Sequence, residues 1–230
     1  MGHAFSRRVA IVATVGAAFA PTIAYAQGSP PGPRVEALGE NDDPKVQSAA
    51  TTQLEDSKAA QERAWDEELA HNARVRDKLR TYHRSMGITT WISLASTTML
   101  GTFRYANVTG FGEPLCSGDN TAVFGHTYGC GDGLKIQHLV SASFTTASYI
   151  ATRTLAALMP EPSYERSPKL KLHRALGWVH LAGMIAMPIL GFSTSGASDP
   201  GTRDSLATAH LAVGYTTLAT LSFAASLMAF

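Results

Sequence analysis

The chain has 230 residues, with 19 Lys+Arg against 18 Asp+Glu and a formal charge of +1. Near-neutrality gives no reason to expect a nucleic-acid partner, and two cysteines are too few to build a disulfide scaffold. Charge is unevenly spread: 22 of the 37 charged residues precede Ser85, although the part that follows is the longer.

Residues 1–26 read as a secretory signal. Arg7 and Arg8 form a basic end, residues 9–20 an apolar stretch, and Ala24-Tyr25-Ala26 a small-x-small cleavage site before Gln27. The alternative is an uncleaved anchor helix. Residues 27–45 contain Gly28, Pro30, Pro31, Gly32 and Pro33 and read as a stiff Pro/Gly-rich linker. Residues 46–83 lack Pro and Gly and are rich in Ala, Glu, Gln and Arg. Leu54, Trp65, Leu69, Val75, Leu79 and Tyr82 trace a thin apolar stripe through them, which predicts a charged extramembrane amphipathic helix. Such a helix is either a solvated stalk or a docking face for a partner protein or a second copy.

The remainder, 84–230, contains uncharged runs at 85–103, 136–152, 175–198 and 205–230. A helix needs roughly 20 mostly apolar residues to cross a bilayer, so four spans are expected, at about 84–106, 134–159, 170–192 and 204–229. The predicted fold is all-α: an integral membrane four-helix bundle in the lipid bilayer. Pro160, Pro162 and Pro168 mark the middle loop, and Asp199-Pro200-Gly201 the last. Orientation stays unresolved. Arg74, Arg76, Lys78, Arg80 and Arg84 share a face with Arg153, Arg166, Lys169, Lys171 and Arg174, which the positive-inside rule makes cytoplasmic. Cys116 and Cys130, in a Gly-rich loop on the opposite face, would form a disulfide if exported. A cleaved signal would reverse both assignments.

The first and third spans resemble each other. His83-Arg84-Ser85-Met86-Gly87 matches His173-Arg174-Ala175-Leu176-Gly177, and Gly101 and Gly191 each lie 18 residues beyond the histidine. The second and fourth share His138-Leu139 and His210-Leu211. This pattern suggests a duplicated hairpin. Spans one and three run the same way, placing His83 and His173 near one face, while His138 and His210 fall near the other. Four residues on, one turn along the same helix side, stand Gly87, Ala142, Gly177 and Gly214, small enough to admit a flat macrocycle. Neutral imidazole is a common axial ligand of haem iron, so His83 with His173, and His138 with His210, are each expected to hold one haem b. Ligands a turn or so inside each face would set the irons on the order of 15–20 Å apart. Small residues at this spacing also serve ordinary helix packing, and an interfacial histidine also anchors a helix. His180 reads as a satisfied interior histidine, with ligand or propionate partner as its alternative; His126, His71 and His3 carry no signal.

At these residues the chain resembles the cytochrome b-561 family. Gly87 and Gly177 complete His-x-x-x-Gly helix starts similar to that family's, and Arg104-Tyr105 is similar to the Arg-Tyr closing one of its core helices. The resemblance covers residues 80–230. It implies a four-helix core with two b-type haems, transmembrane electron transfer between an unnamed donor and acceptor, and the inner membrane of a bacterium. The long loop holding Cys116 and Cys130 and the N-terminal helix depart from that core, and no Lys/Arg-plus-aromatic pattern marks an ascorbate user. No nucleophile–base pair, phosphate-binding loop or hydrolase metal motif appears. The competing class is a non-haem membrane anchor or assembly subunit. A transporter is poorly supported, since the spans hold no Asp or Glu and Pro188 is the one deep breaker.

Overall fold

The computed structural model describes residues 44–117, 121–162 and 167–229. The signal at 1–26 and the linker at 27–43 lie outside the described residues. Four long helices account for most of the rest: α1 (Pro44–Val108), α2 (Asp132–Ala157), α3 (Pro168–Gly196) and α4 (Pro200–Ala229). The protein is all-α, with no strand among the described residues.

The expected helix at 46–83 and span at 84–106 are one uninterrupted helix of 65 residues, and Pro44 and Lys45, expected in the linker, open it. Between 46 and 100 the only helix-weakening residue of either kind is Gly87. A single glycine costs about 1 kcal/mol in a helix interior, too little to end one flanked by good formers. The stop comes at Gly110, where φ is +81° and the N–H groups of Thr109 and Gly110 both donate to Tyr105 O at 2.8 Å. A left-handed residue just past the last turn is glycine's usual place. Helices α3 and α4 start alike, with proline as their first residue. Leu170 N–H donates to Ser167 Oγ at 3.3 Å. Thr202 N–H donates to Asp199 Oδ2 at 2.7 Å, which holds that carboxyl below the usual carboxylate range.

The chain divides into two compact units, residues 1–58 and 59–230; the described part of the first is helix. In the second, the helices touch in a ring. Thr90 Oγ1 meets Thr152 Oγ1 at 3.0 Å and Thr97 Oγ1 meets Ser141 Oγ at 2.6 Å, so α1 and α2 run antiparallel. Tyr149 OH and His180 Nδ1, 2.9 Å apart, join α2 to α3. Helices α3 and α4 close on Gly183, where a Cβ would sit 2.0 Å from Thr217 Oγ1. Trp91 Nε1 donates to Ser222 Oγ at 2.8 Å, and Tyr105 OH lies 2.9 Å from Thr208 Oγ1, returning α4 to α1. The diagonal partners are therefore α1 with α3 and α2 with α4.

The distribution of polarity is inverted relative to a protein folded in water. Thr90, Ser93, Thr97, Thr145, Ser148, Thr152, His180 and Thr217 are buried, while Ile92, Val140, Trp178, Ile189 and Phe223 stand outward, each more than half exposed. Helices α3 and α4 are long and apolar enough to cross a membrane. Of the four spans expected, α1 and α2 fall short of that mark, because serine and threonine fill their inner faces.

Cys116 and Cys130 are disulfide-bonded, their Cα atoms 5.8 Å apart. Asn107, fully buried, fastens the same loop. It accepts from Val123 N–H at 2.9 Å and donates to Val123 O at 3.1 Å. A π-helical turn, His126–Cys130, then leads into α2.

Candidate functional site

Across the α1–α3 diagonal the rings of His83 and His173 face each other with centres 6.4 Å apart and planes at 85°. Across the α2–α4 diagonal His138 and His210 do the same at 6.2 Å and 82°. An iron about 2 Å from each coordinating nitrogen, as metal–imidazole bonds are, would hold two ring centres on the order of 6 Å apart. Both separations fit a shared metal. Among the described residues no group of three or more His, Cys, Asp or Glu is gathered to hold a metal ion. A bare ion wants three or four protein ligands; an iron already held by four macrocycle nitrogens wants two.

The rings are positioned by the duplicated hairpin. His83 Nδ1 lies 3.0 Å from Thr152 O and His173 Nδ1 2.9 Å from Ala224 O. Thr152 is 14 residues after His138, and Ala224 is 14 after His210. A carbonyl only accepts, so Nδ1 carries the proton in both rings and Nε2 keeps its lone pair free to coordinate. At the other end, Thr97 and Met187 lie beside His138 and His210, each 14 residues after the histidine of its own hairpin. Here the contact is looser: both rings face these backbones, but neither Nδ1 reaches the full hydrogen-bond geometry seen at His83 and His173.

No family model, curated protein or solved structure matches this chain. The chemistry of the site is therefore the guide to its ligand.

Gly87, Gly177 and Gly214 do not lie against the histidine rings. A Cβ on each would meet Thr152 Cγ2 at 3.9 Å, Arg153 Nη1 at 3.1 Å and Met187 Sδ at 3.9 Å respectively. The glycines that admit the rings are Gly101 and Gly191, where a Cβ would stand 3.0 Å from His138 Cε1 and 3.3 Å from His210 Cε1. Their signal was present in the 18-residue repeat, but naming them as ring neighbours requires knowing which helices face each other. Two arginines also enter. Arg104 Nη1 is buried without a partner at the His138 end. Arg153 sits at the His83 end with its guanidinium 5.6 Å over the Trp178 ring.

Between the pairs, Leu94, Tyr149 and Met184 form a buried cluster that also receives His180 through Tyr149. With Nδ1 engaged by a phenol and its ring in edge contact with Tyr149 at 5.5 Å, His180 is an interior histidine with a partner. Helix register spaces the two pairs: Thr152, level with His83, is 14 residues beyond His138, about 21 Å along α2. Gly101, level with His138, is 18 residues beyond His83, about 27 Å along α1.

Proposed function

We propose that the chain is an integral membrane cytochrome of four spans, α1 to α4, with one haem b held by His83 and His173 and a second by His138 and His210. Its function is then electron transfer between the two membrane faces, as the resemblance to the cytochrome b-561 family implies. The observation that carries this reading is the pairing itself: two diagonal histidine pairs, both at iron-sized separation, related by one internal repeat. When bound, haem supplies an iron that takes up and returns a single electron. His83 and His173 present Nε2 because carbonyls occupy Nδ1; Gly101 and Gly191 make room for the rings of the opposite pair; Arg104 offers a buried cation to a carboxylate.

The membrane part of the proposal is supported by the outward apolar side chains and the inward hydroxyls. Thr90, Thr97, Thr145 and Thr152 each lie 2.8–2.9 Å from the carbonyl four residues earlier, so each has its single proton accepted either there or by the facing hydroxyl, which makes the hydroxyl-rich α1 and α2 compatible with hydrocarbon. The disulfide and the positive-inside count favour a loop end facing an oxidising compartment and an α1 start facing the cytoplasm. A bacterial inner membrane fits that arrangement.

Replacing either member of a pair tests the assignment. His83→Ala and His173→Ala each lose the same haem and leave one residual spectrum; His138→Ala and His210→Ala leave another. Four variants with the parent's haem content would make the histidines structural. The second reading, a non-haem anchor that docks a donor, acceptor or assembly partner, is favoured by the exposed Leu54 and Trp65 on α1. A colourless, folded preparation would establish it.

A further inference from the structure

We infer that the Cys116–Cys130 bridge is a thiol–disulfide exchange site that oxidises dithiols, with Cys116 the sulfur attacked and His126 the acid that protonates the departing Cys130. The site stands apart from the haem reading and uses none of its histidines.

A π-helical turn brings the two groups together. His126 opens the turn and Cys130 ends it, and His126 Nδ1 lies 3.6 Å from Cys130 Sγ. Such turns are rare and gather at functional positions. The backbone is committed to this one. Phe124, just before it, holds a φ of +64°, uncommon for a bulky side chain. Gly129 and Gly131 flank Cys130, and a Cβ on them would stand 2.7 Å from Asn107 Nδ2 and 2.5 Å from Thr127 O respectively. Cys116 is placed by its backbone: its N–H donates to Asn107 O at 2.9 Å, and Leu115 N–H donates to Ala106 O at 3.1 Å. The Asn107 side chain clasps Val123, so both ends of the bridge stay in place when the sulfurs part.

Buried structural cysteines are inert, whereas reactive ones are partly exposed beside a group that stabilises the thiolate. Here both cysteines are part-exposed and His126 is exposed, so a thiolate reaches the bridge and the imidazole exchanges protons with water. A sulfur departs faster the more readily its charge is stabilised. The imidazole stands beside Cys130, so Cys130 departs and Cys116 takes the new bond.

The exchange balances in two steps. One thiol of the dithiol gives its proton to water, and its thiolate attacks Cys116 Sγ. The Cys116–Cys130 bond breaks, its electron pair leaves on Cys130 Sγ, and protonated His126 gives that sulfur a proton. The second thiol then passes its proton to His126 and attacks the mixed disulfide, closing the dithiol's own disulfide. Cys116 leaves as a thiolate and takes a proton from water. The dithiol loses two electrons and the bridge gains them. Exchange with another disulfide resets the bridge by the same steps in reverse.

The test uses the full-length protein in detergent at neutral pH, with dithiothreitol as the dithiol and alkylation of the freed thiols read by mass spectrometry. The bridge should open about tenfold more slowly in His126→Gln than in the parent, the scale of losing a general acid at an exposed site. His71→Gln, which alters an exposed histidine on α1, should leave the rate unchanged. A brief pulse of glutathione should leave its mixed disulfide on Cys116 of the parent, a readout that needs no variant. Equal rates in the parent and His126→Gln, or glutathione on Cys130, would overturn the inference. So would two free thiols in the protein as purified. None of these results bears on haem content, so the haem reading stands or falls separately.

Discussion

The two hairpins repeat the same histidine spacing but are filled differently. Between α1 and α2 runs a column of hydroxyls: Thr90 on Thr152, Ser93 on Ser148 at 3.5 Å, and Thr97 on Ser141 and Thr145. Between α3 and α4 the equivalent space is closed by Gly183 against Thr217, while Leu181, Met187, Leu218 and Leu221 pack on the buried Leu94, Tyr149 and Met184. The joins differ too. Residues 109–131, stapled by a disulfide, connect the first pair, while 197–199 connect the second. One hairpin is held by directional bonds and a covalent loop, the other by close backbone approach and apolar contact. The features common to both are the histidine, a backbone group 14 residues on and a glycine 18 on. The ring positions thus depend on helix register, and either kind of packing can maintain it.

This contrast is open to breakage at chosen points. Gly183→Val should have the largest effect, about 3 kcal/mol or more of destabilisation by overpacking, because the new Cβ meets Thr217 at 2.0 Å. Pairing it with Thr217→Gly should recover part of the loss in denaturation of the detergent-purified protein. An unaltered single variant would show that α3 and α4 do not depend on close approach. Cys116→Ser should cost the first hairpin about 3 kcal/mol, the worth of closing a loop of roughly 15 residues. In the parent, a thiol reagent should label only after reduction. Labelling without reduction would remove the covalent half of the contrast.

Thr97→Val keeps the side-chain shape but removes the contacts with Ser141 at 2.6 Å and Thr145 at 2.9 Å. The expected loss is about 1 kcal/mol, within the range for interhelical hydroxyl bonds in membranes. Thr216→Val on α4 is the control. That hydroxyl is exposed and returns its bond to Ala212 O within its own helix, so its replacement should change stability by less than about 0.5 kcal/mol. Equal losses at Thr97 and Thr216 would mean that the hydroxyl column contributes no cross-helix energy.

Much of the architecture was readable from residues. The starts of α3 and α4 follow from Ser167-Pro168 and Asp199-Pro200, and the pairing of histidines by face follows from helix direction alone. The continuity of α1 was readable too, in the absence of any strong breaker from 46 to 100, but the change from charged to uncharged composition at Ser85 suggested a boundary that the backbone does not have. What could not be read was lateral: which helix faces which. Without it Gly101 and Gly191, which lie against the His138 and His210 rings, could not be named as ring neighbours. The clasp of Asn107 on Val123 and the unpartnered Arg104 nitrogen likewise depend on a loop conformation that no local pattern encodes.

The measurement closest to the central claim is the reduced-minus-oxidised absorbance spectrum of the purified full-length protein, with haem quantified against protein. The account predicts a b-type signal at two haems per chain, falling to one when His83 or His210 is replaced by alanine. A folded, monodisperse preparation with no such signal would contradict it.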